Sequence, residues 1–465
     1  YLVFWITQFV GGAFIDFFDI AGDTLFVSGS AHLLGMLNAP DWVVALISNG
    51  VGTALQTVGT FLPPVGFMFL CLSVLEDSGY MARAAFVMDR FMRWMGLPGK
   101  SFVPMLVGFG CSVPAIMATR TLESKRDRFL TVFMTPFMSC GAKLPIWVLF
   151  AAAFFPHNPG KLVFYIYITG IVLGIVTGLI LKHTLFQGEP THFIMELPPY
   201  HLPRARHIFL HTWERLKIFI WRAGKFIVPM VLVLGILNTV GTDGSIGNED
   251  KKESLLSVVG KAITPVFEPI GVERDNWPAS VSIFTGLFAK ESVIGTMKGL
   301  YGQDDANVDK TEEEDEYSLV GGLKEAFASI PENLSGVWSG LIDPLGFAGA
   351  EEEAHDGTED ENKATIDSLR RHFPKGVHQM FSFLLFILLY VPCIAATGVV
   401  FREIGKLYGA IFVSYLTLLG WSVATIYHAV MVSHSGMWLI IGTSILAAMF
   451  GGFWLYGKKH RVDMI

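Results

Sequence analysis

Charge is what this chain has least of. Asp, Glu, Lys and Arg make up 16% of its 465 residues, while apolar residues reach 52% and the mean hydropathy is +0.49. A soluble domain carries about 25% charged residues, so a soluble globular chain is excluded. Cysteine is scarce as well: four residues in unrelated settings, with no CxxC, give no disulfide framework. No GxxxxGK[ST] is present, so there is no P-loop, and no GxSxG or credible nucleophile–base pair marks a hydrolase. The absence of HExxH excludes a zincin-type histidine site. No signal peptide is visible, and the chain opens on Tyr1-Leu2-Val3-Phe4-Trp5 without a Met, which reads as a fragment starting at the edge of its first span.

What is present is a polytopic membrane protein. Eleven Trp and 38 Phe supply the aromatic load of bilayer interfaces. A span needs about 20 mostly apolar residues, and eight stretches qualify: 1–18, 62–79, 129–155, 162–181, 223–241, 379–401, 407–430 and 437–456. Two more apolar stretches, 102–119 and 281–300, are interrupted by Pro, Gly or charge and read as re-entrant or broken helices. Residues 42–60 read as an interfacial helix or as part of a longer second helix.

Basic residues orient the bundle. Arg83, Arg90, Arg93 and Lys100 precede the first broken segment, and Arg120, Lys125, Arg126 and Arg128 follow it. The 182–222 loop and the tail Lys458-Lys459-His460-Arg461 fall on the same, cytoplasmic side, which puts both termini there. The acidic loops fall opposite, above all 301–375, with 19 Asp and Glu against 6 Lys and Arg. That segment either concentrates cations at the outer mouth or is a solvated, partly disordered loop.

The order of parts then repeats with opposite topology, as in many secondary transporters. The expected fold is all-α, about eight transmembrane helices plus two broken segments in two inverted-topology repeats. Residues 1–61 hold the first helix and an outer segment, 62–181 the first repeat and 182–222 a basic loop. The second repeat runs over 223–300 and 376–430, split by the acidic insertion 301–375, and 431–465 hold the last helix and tail.

In lipid a helix breaks only where the freed backbone groups line a protein-walled cavity. Gly108, Gly110 and Pro114 break one segment beside Cys111; Pro136 and Gly141 break another beside Cys140; Pro392 precedes Cys393. Thiolates are soft ligands for late first-row metals, whereas Cys71, with no break beside it, reads as packing. Ionisable groups inside spans are functional candidates: Glu291 in the second broken segment, Glu76 and Asp77 closing the second span, and Glu123 at the cytoplasmic boundary, with Arg402-Glu403 read as a solvated helix end. Met117 and Met138 offer thioethers or simply fill the core. Of 13 histidines only His428 falls well inside a span.

At these residues the chain resembles the membrane portion of the bacterial ferrous iron transport protein B (FeoB) family. The resemblance rests on Gly108–Glu123 (GFGCSVPAIMATRTLE), Pro136–Pro145, Glu76–Phe86, Trp277–Glu291 and Leu389–Cys393 (LYVPC), in that family's order. It implies Fe2+ uptake across the bacterial inner membrane, with Cys111, Cys140 and Cys393 as pore thiols. It also implies an N-terminal GTPase domain outside the present sequence, through which alone GTP and Mg2+ act. The small SH3-like protein FeoA is an implied partner, as is a homo-oligomeric state, and nucleic acid is not. On this reading Fe2+ sheds water against Glu291 and passes Cys393, Cys140 and Cys111. Two other readings stay open: a carrier for a nucleoside-like or other organic solute, and a membrane thiol redox protein.

Overall fold

A computed structural model describes residues 2–155, 158–188, 199–241, 254–302, 318–336 and 360–459. Among these the chain is mostly helical, and the sole extended pairing is an isolated bridge between Gly241 and Ser254. Five helices are long and apolar enough to cross a membrane: Leu46–Asp77, Lys125–Phe154, Pro159–His183, Ile394–Ser433 and Gly436–Lys459. The protein is an all-α polytopic membrane protein.

The chain divides into two compact units, one of residues 1–73, 205–265 and 274–369, the other of 74–204, 266–273 and 370–465. In the first, Ile15–Gly22 packs on Thr53–Thr60 and on Leu319–Gly336. Leu256, Val281 and Leu300 form a separate small core there. The acidic insertion is therefore not one loop: Leu319–Gly336 and Asp360–His372 are helices, and residues 303–317 and 337–359 lie outside the described residues. So do His460 and Arg461 of the basic tail. Residues 42–60 join the second span in one 32-residue apolar run, Leu46–Asp77, the longer of the two expected alternatives.

The second unit revises three span boundaries. The 129–155 stretch is two helices, Lys125–Met134 and Leu144–Phe154, separated by short 3-10 turns around an extended Met138–Cys140. The 379–401 stretch ends early, because Val377–Leu389 stops before Tyr390 and a new helix starts at Ile394. That helix then runs on to His428, straight through the charged 402–406 stretch that marks the end of a span in the sequence. It is interrupted only at Gly405, whose φ of 82° and ψ of 170° suit glycine alone.

The helix continues because its charge is neutralised inside the protein. Arg120 Nε donates to both oxygens of Glu403 at 2.9 and 3.0 Å, and the terminal nitrogens of Arg120 and Arg128 bond the same carboxylate. The Glu403 side chain is 1% exposed, so the reading of Arg402-Glu403 as a solvated helix end is corrected. Hydrogen bonding to Glu403 also raises the Arg120 guanidinium further above its ordinary value. Arg126 is likewise turned inward, donating to the carbonyls of Phe186 and Gly96 and to Asp127. Three of the basic residues that orient the bundle in the sequence are thus structural ties.

Close packing positions the first of these broken helices. Gly170, Gly174 and Gly178 form a small-residue stripe on Pro159–His183, spaced one turn apart. A Cβ on Gly170 would stand 2.8 Å from the Phe137 carbonyl oxygen, and one on Gly174 3.0 Å from Phe137 Cβ. Only glycine lets the broken segment lie this close to the helix.

Removing one member of a buried ion pair costs about 3 kcal/mol or more. Glu403→Ala is therefore expected to lower the thermal midpoint of the detergent-solubilised protein by several degrees. Arg120→Ala should cost less, since its side chain is 44% exposed. An unchanged midpoint in Glu403→Ala would mean that the triad does not hold these helices together.

Candidate functional site

Four helix breaks share one design. They fall at Phe109–Cys111, Met138–Lys143, Ala289–Glu291 and Tyr390–Cys393, each between two helical stretches. Cys111, Glu291 and Cys393 each immediately precede the helix that resumes the chain, and Cys140 precedes the 3-10 turn leading into Leu144–Phe154. The three cysteines are extended there, at φ, ψ of −153°, 132° for Cys111, −74°, 160° for Cys140 and −54°, 157° for Cys393. None of the three side chains makes a capping hydrogen bond to the segment that follows it. All three are partly exposed reduced thiols, whereas Cys71 is buried, as its apolar setting predicts.

The breaks containing cysteine all belong to the second unit, and proline explains how they are joined. In a helix a carbonyl accepts from the N–H four residues on; when that residue is Pro, the carbonyl is orphaned. Pro114 removes the donor for Gly110, and Pro392 removes the donor for Leu388. Both carbonyls find their partner in the middle break. The Gly141 N–H donates to Gly110 O at 3.2 Å, and Lys143 Nζ donates to Leu388 O at 2.7 Å. Cys140 is thus flanked by the two residues that tie its own break to those of Cys111 and Cys393. Lys143 is 3% exposed and lies in the electrostatic reach of both Cys140 and Cys393.

The helices that start after Cys111 and Cys393 pack against each other. Each leads from its thiol to the same ion cluster, Arg120 at one end and Glu403 at the other. The thiols therefore stand about 14 Å along the helix axis from that cluster, from the 1.5 Å rise per residue.

The other candidates lie elsewhere. Glu291 belongs to the first unit, where its side chain is exposed while its neighbour Lys290 is buried. Glu76 and Asp77 are exposed at the end of Leu62–Asp77, with Asp77 accepting from the Arg204 N–H at 3.2 Å. Glu123 is exposed and pairs with Lys100 at 3.1 Å. Met138 is buried, its side chain packed close to Gly108 and Gly174; Met117 is partly exposed on Ser112–Ala118. His428 is buried with Nε2 unpartnered, beside Gly271. Among the described residues no three His, Cys, Asp or Glu side chains are grouped to hold a metal ion.

Sequence reasoning passes over two features. Lys143 sits within an apolar run, and a lone intramembrane lysine is costly enough to be a signal by itself. His207 and His211 are spaced i, i+4, and the structure puts both on one exposed face of Ala205–Thr239.

Lys143→Met keeps the buried bulk but leaves the Leu388 carbonyl unpaired, at about 1–3 kcal/mol. The Tyr390–Cys393 break should loosen, so Cys393 should react faster with a membrane-permeant maleimide than in the parent protein. An unaltered Cys393 labelling rate would show that Lys143 does not hold that break.

Comparison with known proteins gives a consistent answer. A gate family model, described as nucleoside recognition, matches residues 58–154 and 220–407. A model of the ferrous iron transport protein B C terminus matches residues 163–215. The Fe(2+) transporter FeoB of Legionella pneumophila (strain Lens) is 46% identical over 437 residues, which is 94% of this chain and 56% of that protein. The Fe(2+) transporter FeoB of Escherichia coli (strain K12) is 42% identical over 433 residues, 92% of this chain and 55% of that protein. The chain thus spans little more than half the length of these relatives. No solved structure matches. The chain belongs to the ferrous iron transport protein B family and spans its membrane gate portion.

Proposed function

We propose that this chain is the conduit through which Fe2+ crosses the bacterial inner membrane into the cytoplasm, with both termini on the cytoplasmic side. The observation that carries the reading is the chemistry of the breaks. Three of the four contain a cysteine, two of them at the residue directly before a helix, within otherwise largely apolar segments. The relatives' printed name, Fe(2+) transporter, supports the cargo.

On this reading the cargo exchanges water for sulfur at Cys393, Cys140 and Cys111 in turn, and Glu291, with Glu76 as a further carboxylate, assists dehydration. Thiolates hold Zn2+ and Cu+ at least as well as Fe2+, so selectivity comes from geometry and availability. The gate repeats form inverted halves, which the two matched segments 58–154 and 220–407 support. An N-terminal GTPase domain and FeoA belong to the same proposal, as the parts that open the path.

A second reading takes the gate model's description at face value and makes the cargo a nucleoside-like solute. The two separate in proteoliposomes. Fe2+ influx is expected in the parent protein and should fall roughly tenfold or more in Cys140→Ser, the scale on which groups supporting a metal ligand act. A triple Cys111/Cys140/Cys393→Ser variant should abolish it. Fe2+ influx that survives the triple change would move the path to the carboxylates. Nucleoside influx without Fe2+ influx would favour the second reading.

A further inference from the structure

Outside the breaks, one arrangement on the described surface has metal-binding chemistry. His207 and His211 lie in the first turns of Ala205–Thr239, their rings near-parallel at 28° with centroids 6.4 Å apart. Both side chains are exposed. Residues i and i+4 share a helix face about 5–6 Å apart at Cβ, the spacing with which helical histidines chelate one ion. With metal–imidazole bonds of about 2 Å, a small side-chain rotation brings both rings onto a common ion. Glu214, exposed and three residues on from His211, shares this helix face but does not group with the pair as a third ligand.

We infer that His207 and His211 form a surface chelate for a late first-row divalent cation, with imidazole as the discriminating ligand. Imidazole suits Fe2+, Co2+, Ni2+, Cu2+ and Zn2+ and disfavours Mg2+ and Ca2+. The surroundings set the affinity low. Arg206 adjoins the pair and the positive end of the helix lies beside it, while Glu214 offsets only part of this field. A weak, exchangeable site suits a hand-off step rather than storage. That role rests on the transport reading, because under the proposed orientation this helix starts on the cytoplasmic side; the chelate itself does not.

The test is a Co2+ titration of the whole chain in detergent, its cysteines alkylated, followed by calorimetry and by the visible absorption of the bound ion. The parent protein should take up a Co2+ equivalent that disappears in His207→Ala and in His211→Ala. Both side chains are exposed, so metal-free thermal midpoints should match the parent's. Moving the second imidazole tests geometry rather than histidine content. Leu210 and Phe209 are exposed, 53% and 64%, and tolerate exchange. His211→Ala/Leu210→His, an i, i+3 pair, should restore binding, and His211→Ala/Phe209→His, on opposite faces, should not. Binding that persists in His207→Ala, or that is equal in both relocated variants, would overturn the chelate, as would no Co2+ uptake by the parent protein. Loss of Fe2+ influx in the cysteine variants with intact Co2+ binding, or the reverse, separates this site from the thiol path.

Discussion

Two carbonyls without donors govern the second unit. Pro114 and Pro392 each remove the N–H that a carbonyl four residues earlier would have used, and in a bilayer no water replaces it. Gly141 and Lys143 supply the missing donors from a single short segment. The middle break is therefore the hub of the site: it cannot shift without leaving Gly110 or Leu388 unpaired. The three thiols owe their neighbourhood to this pairing. The glycine stripe of Pro159–His183 serves the same end, since it lets the hub sit against a helix with no side chain between them.

Buried charge follows the same rule of local compensation. Glu403 carries two arginines on a carboxylate withdrawn from solvent, and Arg126 divides its donors between an adjacent carboxylate and two carbonyls. These ties explain why helix continues on both sides of the Gly405 kink through a stretch that composition alone reads as a loop. They also shift the meaning of positive charge here, because a basic residue marks the cytoplasmic side only if it is free to face it. Arg120, Arg126 and Arg128 answer to their partners instead.

The fold class was legible because it depends on composition, and the breaks were legible because Gly and Pro mark them locally. Cys111, Cys140 and Cys393 were singled out on that ground, and each falls in a break, Cys111 and Cys393 directly before a helix and Cys140 before a 3-10 turn. The sequence could not reveal that Pro114 and Pro392 share a remedy. The Lys143–Leu388 contact joins residues 245 apart, and Arg120–Glu403 joins residues 283 apart; periodicity carries no information at such distances. Glu403 was misread for this reason, since a charged residue after an apolar run looks solvated until its partners are known. His207 and His211 differ: their spacing was in plain view, and a search confined to spans passes over a helix that begins outside them.

The absence of a three-ligand group among the described residues bears on what the thiols can do. A closed tetrahedral thiolate site holds its metal for a long time, and a conduit must let it go. Affinity per site has to be high enough to replace hydration and low enough to permit release. On the proposed reading, ligands distributed over separate breaks meet that condition, since each step exchanges one sulfur for the next without a complete shell forming. Lys143 donates to the Leu388 carbonyl and lies in the electrostatic reach of Cys140 and Cys393. On the proposed reading, the segment that carries Cys140 also ties together the breaks of Cys111 and Cys393, so the ligands stay on separate breaks for the same reason that the backbone stays paired.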